Sequence, residues 1–231
     1  MDNEVQNKQN VKVVVKVEIT TLLNSDGKFN KRKMERLAMV FTNLMNSGIH
    51  VIIVSSGAIF LGSAKLGFTN QPEGLIKKQA IAAVGQVELM RYYRYYFDMF
   101  NQMVAQVLLT GDVIKDPVRN RNARNTLMNL LSKKIIPIIN ENDSVSTDDI
   151  ELDDNYYMVL NVASLVDAEL ILIKSVKDAE YLLVPRKNSG ENLTVKESEI
   201  IESIDNISHQ IDYGNYLSNP FPSGFNELFF N

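Results

Sequence analysis

Residues 51–59, Val-Ile-Ile-Val-Ser-Ser-Gly-Ala-Ile, constrain the fold more than any other stretch of the chain. Four apolar residues run into two serines and a glycine, and a helical pattern follows. This is typical of a buried strand that ends in a ligand-facing turn, because ligands of open α/β sheets bind at the carboxyl ends of strands. The helix start that follows presents free N–H groups to an anion. An ordinary strand-to-helix turn is the alternative, and the chemistry of the other strand ends decides between them.

The rest of the chain alternates short apolar strands with amphipathic helices. Periodicity predicts strands at residues 11–17, 50–54, 103–109, 135–139 and 170–173, and a short one at 148–152. It predicts helices from Asn30 to a C-cap near Gly48 and at 56–66, 75–100, 119–131, 155–166 and 196–209. This order indicates an α/β fold with a mostly parallel sheet covered by helices on both faces. Residues 1–10 are predicted to be a flexible tail, and 11–231 a single domain.

Composition excludes several classes of function. The 231-residue chain has no Cys and two His, which argues against a disulfide framework, a thiolate nucleophile and a zinc site. Its net charge of −4 gives no indication of nucleic-acid binding. No apolar run is long enough for a transmembrane helix, and the polar N-terminus lacks a signal-peptide core. We therefore expect a cytoplasmic protein without a membrane partner or a bound metal.

Polar side chains follow several predicted strands. Lys16 lies near the end of the first strand, Ser55-Ser56-Gly57 follows the second, and Asn-Glu-Asn-Asp at 140–143 follows the fourth. Asp-Asp-Asn at 153–155 stands at the start of a later helix. A lysine, several carboxylates and an anion-ready helix start suit phosphoryl transfer, in which the protein mainly positions groups and neutralises charge. There is no Walker A motif and no GxGxxG. The pattern alone thus indicates a small-molecule-binding α/β domain, with phosphotransferase chemistry as one option.

Five ordered segments resemble motifs of the glutamate 5-kinases, which belong to the amino-acid kinase superfamily. They are 55–62 (TSGAI..G in the family), 78–86 (KQ..AAVGQ), 106–110 (Q.LLT), 122–127 (NAR.TL) and 136–145 (I.P.INEND.V). The resemblance implies a three-layer α/β/α sandwich that transfers the γ-phosphoryl group of ATP, with Mg²⁺, to the side-chain carboxylate of glutamate, the first step of proline biosynthesis. It makes Lys16 the catalytic residue that stabilises the transferred phosphate. It also implies a dimer or a tetramer, and it places glutamate at four residues: Ser56, Gly57, Asp143 and Asn155.

The departures from the family pattern lie on the phosphate and nucleotide side. Glu18 replaces a glycine that follows the first strand, and a carboxylate about 4 Å from a phosphate charge repels it by about 4 kcal/mol at an effective dielectric near 20. In the segment that resembles GDND, Asp154 is kept and Tyr156 replaces the second aspartate. The resemblance implies that this second aspartate organises the catalytic lysines. The segment from Lys174 lacks the Asp and Gly of TD..GLY. The second catalytic lysine has no counterpart, so residues 175–231 are interpreted as divergent and truncated.

Two hypotheses follow. In the first, the chain is a catalytically impaired relative that acts as a binding, regulatory or structural protein, with glutamate or a similar small amino acid as its ligand and no assigned cofactor. In the alternative, it is an active, divergent glutamate 5-kinase that uses ATP and Mg²⁺. The chain is expected to form a homo-oligomer or to join a larger assembly. The aromatic run at 92–97 is interpreted either as core packing or as a subunit interface.

Overall fold

The computed structural model describes residues 11–24, 29–68, 73–145, 155–168, 170–174 and 181–185. For residues 155–157, 170–174 and 181–185, among others, only the backbone is described. The predicted tail at 1–10, the short strand at 148–152, the helix at 196–209 and Asp154 lie outside the described residues. So does almost all of the segment 175–231, of which only 181–185 is described.

The described strands form one sheet in the order β3-β4-β2-β1-β5-β6. Neighbouring strands from β1 to β5 pair in parallel, and β6 pairs antiparallel with β5. The strands are β1 (Lys12–Val17), β2 (His50–Ser55), β3 (Val104–Leu109), β4 (Ile136–Glu141), β5 (Leu170–Lys174) and β6 (Tyr181–Pro185). The predicted parallel strands are confirmed within one or two residues. The antiparallel strand β6 was not predicted.

Helices connect the parallel strands. They are α1 (Lys31–Asn46), α2 (Ala58–Leu66), α3 (Leu75–Asp98), α4 (Gly111–Lys115), α5 (Pro117–Ser132) and α6 (Asn155–Val166), with a short 3₁₀ turn at Ile19–Leu22. Asn30 is the N-cap of α1, and its side chain accepts a hydrogen bond from the backbone N–H of Lys33 at 3.0 Å. The 3₁₀ turn and α4 were not predicted, because a helical element of four or five residues completes little more than one turn and shows no helical periodicity. None of the described helices is long and apolar enough to cross a membrane.

Two hydrophobic cores lie on opposite faces of the sheet. Because side chains alternate along a strand, Val13 and Val15 face the layer of α1 and α3, and Val14 faces the layer of α5 and α6. All three valines are 0% exposed, which requires helices on both faces. The predicted three-layer α/β/α sandwich is therefore confirmed.

The aromatic run at 92–97 belongs mainly to the first core. Tyr93 and Phe97 are 0% exposed and Tyr96 is 5% exposed, while Tyr95 is 64% exposed. Tyr92 stacks on Phe29 with ring centroids 4.2 Å apart, so part of the remaining aromatic surface is covered within the chain. Core packing accounts for most of this run, and the subunit interface remains an untested alternative for Tyr95.

Arg124 of α5 contacts the end of α6. This arginine lies in the segment 122–127, which resembles NAR.TL. Its guanidinium donates to the backbone carbonyl of Leu165 and forms an ion pair with Asp167 at 2.7 Å. Leu165 lies in the last turn of α6, where carbonyl groups lack intrahelical partners. The arginine of this motif thus supports the helix that begins at Asn155.

Candidate functional site

The carboxyl ends of the central parallel strands lie at one edge of the sheet. Lys16 of β1 pairs in register with Val54 of β2, and Val54 pairs with Ile139 of β4. The backbone N–H of Ser56 continues this arrangement by donating to the carbonyl of Val17 at 3.2 Å. The predicted convergence of Lys16, the Ser55-Ser56-Gly57 turn and the 140–143 segment at this edge agrees with the register.

The turn after β2 depends on Gly57. This glycine has φ of +102° and stands as the N-cap of α2, which begins at Ala58 rather than at Ser56 as predicted. A side chain is disfavoured at such a φ, and glycine adopts it without steric cost. No side chain caps this end of α2. The turn therefore places Ser56 directly before a helix start whose first N–H groups lack intrahelical partners.

The predicted catalytic residue Lys16 forms a close ion pair with Glu18. Its Nζ lies 2.9 Å from Oε1 of Glu18, and the two side chains are 7% and 15% exposed. Glu18 is the first residue after β1, where the resemblance implies a glycine. The carboxylate therefore neutralises the ammonium group that the resemblance assigns to the transferred phosphate. Because both groups are largely shielded from water, this attraction is screened less than it would be at the surface.

Asp143 lies in the turn that follows β4. The backbone N–H of Asn142 donates to the carbonyl of Leu109 at 2.8 Å, which ties this turn to the end of β3. Burial, together with the neighbouring charge of Glu141, raises the pKa of Asp143 to about 6. A carboxyl group in such a site is readily stabilised as an anion by an incoming cation, such as an amino group. The described geometry thus suits the amino-acid-binding role predicted for Asp143.

The remaining predicted site residues are located only by their backbone. Asn155 and Tyr156 open α6, and Lys174 ends β5, which pairs in parallel with β1. Lys174 consequently stands at the same edge of the sheet as Lys16. Asp154 lies outside the described residues. The side chains of these four residues are not described, so their predicted roles stay predictions.

The described contacts at this edge differ between the predicted phosphate side and the predicted amino-acid side. The ammonium of Lys16 already has the Glu18 carboxylate at 2.9 Å, so a phosphate would compete with an internal anion. The amino-acid side is formed by Ser56, Gly57 and Asp143. The described contacts of these residues include no ion pair that a ligand would have to displace.

A sequence profile of the amino acid kinase family matches residues 12–201. The chain belongs to the amino acid kinase family. Among curated proteins it is similar to glutamate 5-kinases of Clostridium perfringens (40% identity over 86% of this chain and 75% of the relative) and Listeria monocytogenes (40%, 89% and 73%). The glutamate 5-kinase of Ligilactobacillus salivarius is 37% identical over 87% of this chain and 77% of the relative. The predicted resemblance is thus confirmed, and the chain is a glutamate 5-kinase-like protein.

Two buried hydrogen bonds beneath this amino acid kinase site were missed by the sequence analysis. The hydroxyls of Tyr93 and Ser55 lie 2.9 Å apart, and Asn140 Nδ2 donates to Gln86 Oε1 at 2.8 Å. Gln86 and Tyr93 are seven residues apart on α3, a spacing that brings both to one helix face. That periodicity was visible in the sequence, but it does not identify partners 38 and 54 residues away along the chain.

Proposed function

We propose that this chain is a glutamate 5-kinase-like protein that binds glutamate or a similar amino acid and is impaired in phosphoryl transfer. It would act as a binding, regulatory or structural member of the family, alone or within an oligomer. Its relatives are named as glutamate 5-kinases, so an ancestral link to proline biosynthesis is part of the proposal. Different residues support the two halves of the predicted site.

The ion pair between Lys16 and Glu18 is the observation that carries the proposal. Phosphoryl transfer by an enzyme of this kind depends on positive groups that neutralise charge on the transferred phosphate. Here the predicted catalytic lysine is 2.9 Å from a carboxylate, at a position that has a glycine in the resembling family. A phosphate that approached Lys16 would have to displace this partner and tolerate its charge nearby. Both requirements weaken nucleotide binding and slow the transfer step.

The amino-acid side supports retained binding. Gly57 keeps the left-handed conformation that shapes the turn after β2. Asp143 is partly buried and has a raised pKa, so binding an ammonium group would stabilise its charged form. An amino acid offers that ammonium group together with carboxylates suited to a helix start. These features favour a zwitterionic ligand over a nucleotide.

An active, divergent glutamate 5-kinase is the second candidate. Identity of 40% over 86% and 89% of this chain favours it, because both of these relatives are named as glutamate 5-kinases. In this case Lys16 would leave Glu18 when ATP and Mg²⁺ bind. The two candidates differ in one measurable property, which is turnover.

A coupled assay of ADP formation tests the proposal, with the full chain, ATP, Mg²⁺ and L-glutamate. We expect no rate above that of the Lys16→Ala variant, which removes the predicted catalytic group. In parallel, calorimetry is expected to detect binding of L-glutamate and no tight binding of ATP–Mg²⁺. ADP formation that requires both glutamate and Mg²⁺ and disappears in Lys16→Ala would establish the active enzyme instead.

A binding control locates the amino-acid side. Asp143→Asn removes the charge predicted to face the ligand's ammonium group and preserves the size of the side chain. We expect it to weaken L-glutamate binding by at least about tenfold, since a charged hydrogen bond contributes roughly 1.5–3 kcal/mol. Unchanged affinity in this variant would remove Asp143 from the site.

A further inference from the structure

Helix α3 lies directly beneath the turn that opens α2. The two helices approach so closely that a Cβ on Gly85 of α3 would overlap the backbone carbonyl of Ala58. A Cβ on Gly62 of α2 would likewise overlap the carbonyl of Ile81. Only glycine permits these contacts, so the position of α3 relative to Ala58 is fixed within narrow limits.

From this position, Tyr93 contacts the end of β2. Its hydroxyl lies 2.9 Å from that of Ser55, and both residues are 0% exposed. Burial raises the pKa of Tyr93, so the phenol keeps its proton under physiological conditions. The protonated phenol and the serine hydroxyl can therefore share this hydrogen bond at neutral pH.

Gln86 contacts the end of β4 in the same way. Its Oε1 accepts from Asn140 Nδ2 at 2.8 Å, and the two residues are 9% and 3% exposed. The strands β2 and β4 are neighbours, with Ile53 opposite Ile138 and Val54 opposite Ile139. The next position in this register places Ser55 beside Asn140. One helix face thus holds two adjacent strand ends through buried side chains.

Simple packing would not require these polar groups. Tyrosine and serine could be replaced by phenylalanine and alanine without loss of apolar contact, and a buried polar group is costly unless its hydrogen bond is formed. Each of these two bonds restricts the backbone, because a shift would break it in a medium of low dielectric. In the second pair only Gln86 Oε1 is bonded, since the buried Nε2 of Gln86 has no hydrogen-bond partner among the described residues. The two pairs therefore specify geometry at the strand ends that lead to Ser56 and to Asp143.

We propose that Tyr93 and Gln86 are positioning residues, which set the distance between the Ser56–Gly57 turn and Asp143 by fixing Ser55 and Asn140. Neither side chain contacts the ligand in this arrangement. Each acts through the strand end to which it is bonded. The inference rests on the proposed function, because it assigns these two residues to the amino-acid side of that site.

The test compares three substitutions on α3. Tyr93→Phe and Gln86→Met each remove one hydrogen bond and preserve most of the side-chain volume. Tyr96→Phe is the matched control, since it deletes a hydroxyl from a residue of the same core that is 5% exposed and lies one turn further along. Thermal unfolding of all three variants measures any general loss of stability.

L-glutamate binding by calorimetry is the first measurement. We expect the dissociation constant to rise about fivefold in Tyr93→Phe and in Gln86→Met, the effect of losing one buried hydrogen bond. Tyr96→Phe is expected to stay within about twofold of the original protein. If Tyr93→Phe and Gln86→Met bind glutamate as tightly as Tyr96→Phe does, the positioning role is overturned.

Amide hydrogen exchange is the second measurement, and it does not depend on any ligand. We expect the amides of 56–58 to exchange about tenfold faster in Tyr93→Phe, and those of 141–143 in Gln86→Met, with no such change in Tyr96→Phe. Exchange rates in these segments that match the control would overturn the inference. If the original protein does not bind glutamate, the proposed function fails, and the exchange rates still decide the positioning role.

Discussion

Gly57 lies against the side chain of Ile19, so closely that a Cβ on Gly57 would overlap Cγ2 of the isoleucine. Ile19 is 1% exposed and begins the 3₁₀ turn that follows β1. The turn after β2 and the turn after β1 are therefore packed together at the sheet edge. Glycine is required at position 57 for two reasons, which are the positive φ of the backbone and the close contact with Ile19. Glu18, the partner of Lys16, directly precedes Ile19, so the contact also lies next to the predicted phosphate side.

Gly57→Ala is expected to destabilise the protein by about 2–5 kcal/mol. The left-handed backbone adds about 1–2 kcal/mol for a residue with a Cβ, and overpacking against Ile19 adds about 1–3 kcal/mol. Urea unfolding measures the change. Gly48→Ala is the control, because Gly48 also has a positive φ, of +85°, but a Cβ there would meet nothing within 4 Å. An equal loss in both variants would mean that the contact with Ile19 contributes nothing.

Gly85→Ala is expected to separate α2 from α3 and to cost several kcal/mol. The added methyl group would overlap the carbonyl of Ala58, which belongs to the backbone and cannot move without shifting α2. Gly111→Ala is the control, since Gly111 has open space around it at the start of α4. Thermal unfolding should show a large drop for Gly85→Ala and little change for Gly111→Ala. A Gly85→Ala protein with the original stability would contradict the close helix contact.

The sequence predicted the parallel strands, the long helices and the three-layer arrangement because each depends on local periodicity. The stripe of Met34, Leu37 and Phe41 on α1 is an example, and all three residues are buried as the spacing requires. The antiparallel strand β6 was missed, because it lies in the segment interpreted as divergent and because a short apolar run does not by itself distinguish a strand from a buried helical turn. Its Tyr181 pairs with Lys174 of β5.

The candidate site was predicted in its residues but only partly in its contacts. Lys16, Ser56 and Asp143 follow from strand ends and from the family resemblance. The ion pair of Lys16 with Glu18 was not predicted, although the unusual carboxylate was noted, because a sequence does not show which way a side chain turns. Tyr93 was assigned to an aromatic run, and its hydrogen bond to Ser55 depends on tertiary packing that periodicity does not encode.

The pKa of Asp143 predicts a pH dependence of stability. Burial and the charge of Glu141 raise this pKa to about 6, above its ordinary value of 3.8. The folded state therefore binds the proton more tightly than the unfolded state, and the contribution of this group to stability is lost as pH rises from about 4 through 6. Asp143→Asn lacks this loss, so it should be more stable than the original protein at pH 7.5, by roughly 1–3 kcal/mol, and no more stable at pH 4.

Urea unfolding at several pH values measures this difference. Asp112→Asn is an informative control, because a hydrogen bond from Thr110 and the charge of Arg119 lower the pKa of Asp112. A lowered pKa has the opposite sign, so its stabilising contribution is lost as pH falls. Parallel profiles for the original protein and Asp143→Asn would show that the pKa of Asp143 is the same in the folded and unfolded states, which would contradict the raised value.

Glu18→Gly tests whether the ion pair with Lys16 is what excludes a nucleotide. The substitution removes the carboxylate that lies 2.9 Å from Nζ and also removes the Cβ. Since two charges about 4 Å apart interact by about 4 kcal/mol at an effective dielectric near 20, we expect ATP–Mg²⁺ to bind at least about tenfold more tightly by calorimetry.

Glu18→Gln removes the charge and keeps the side chain, so the difference between the two variants separates repulsion from crowding. The gain should vanish in the double variant with Lys16→Ala, because the released ammonium group is its source. ATP–Mg²⁺ affinity that is the same with Glu18, Gln or Gly would show that residues elsewhere, such as Tyr156, block the nucleotide.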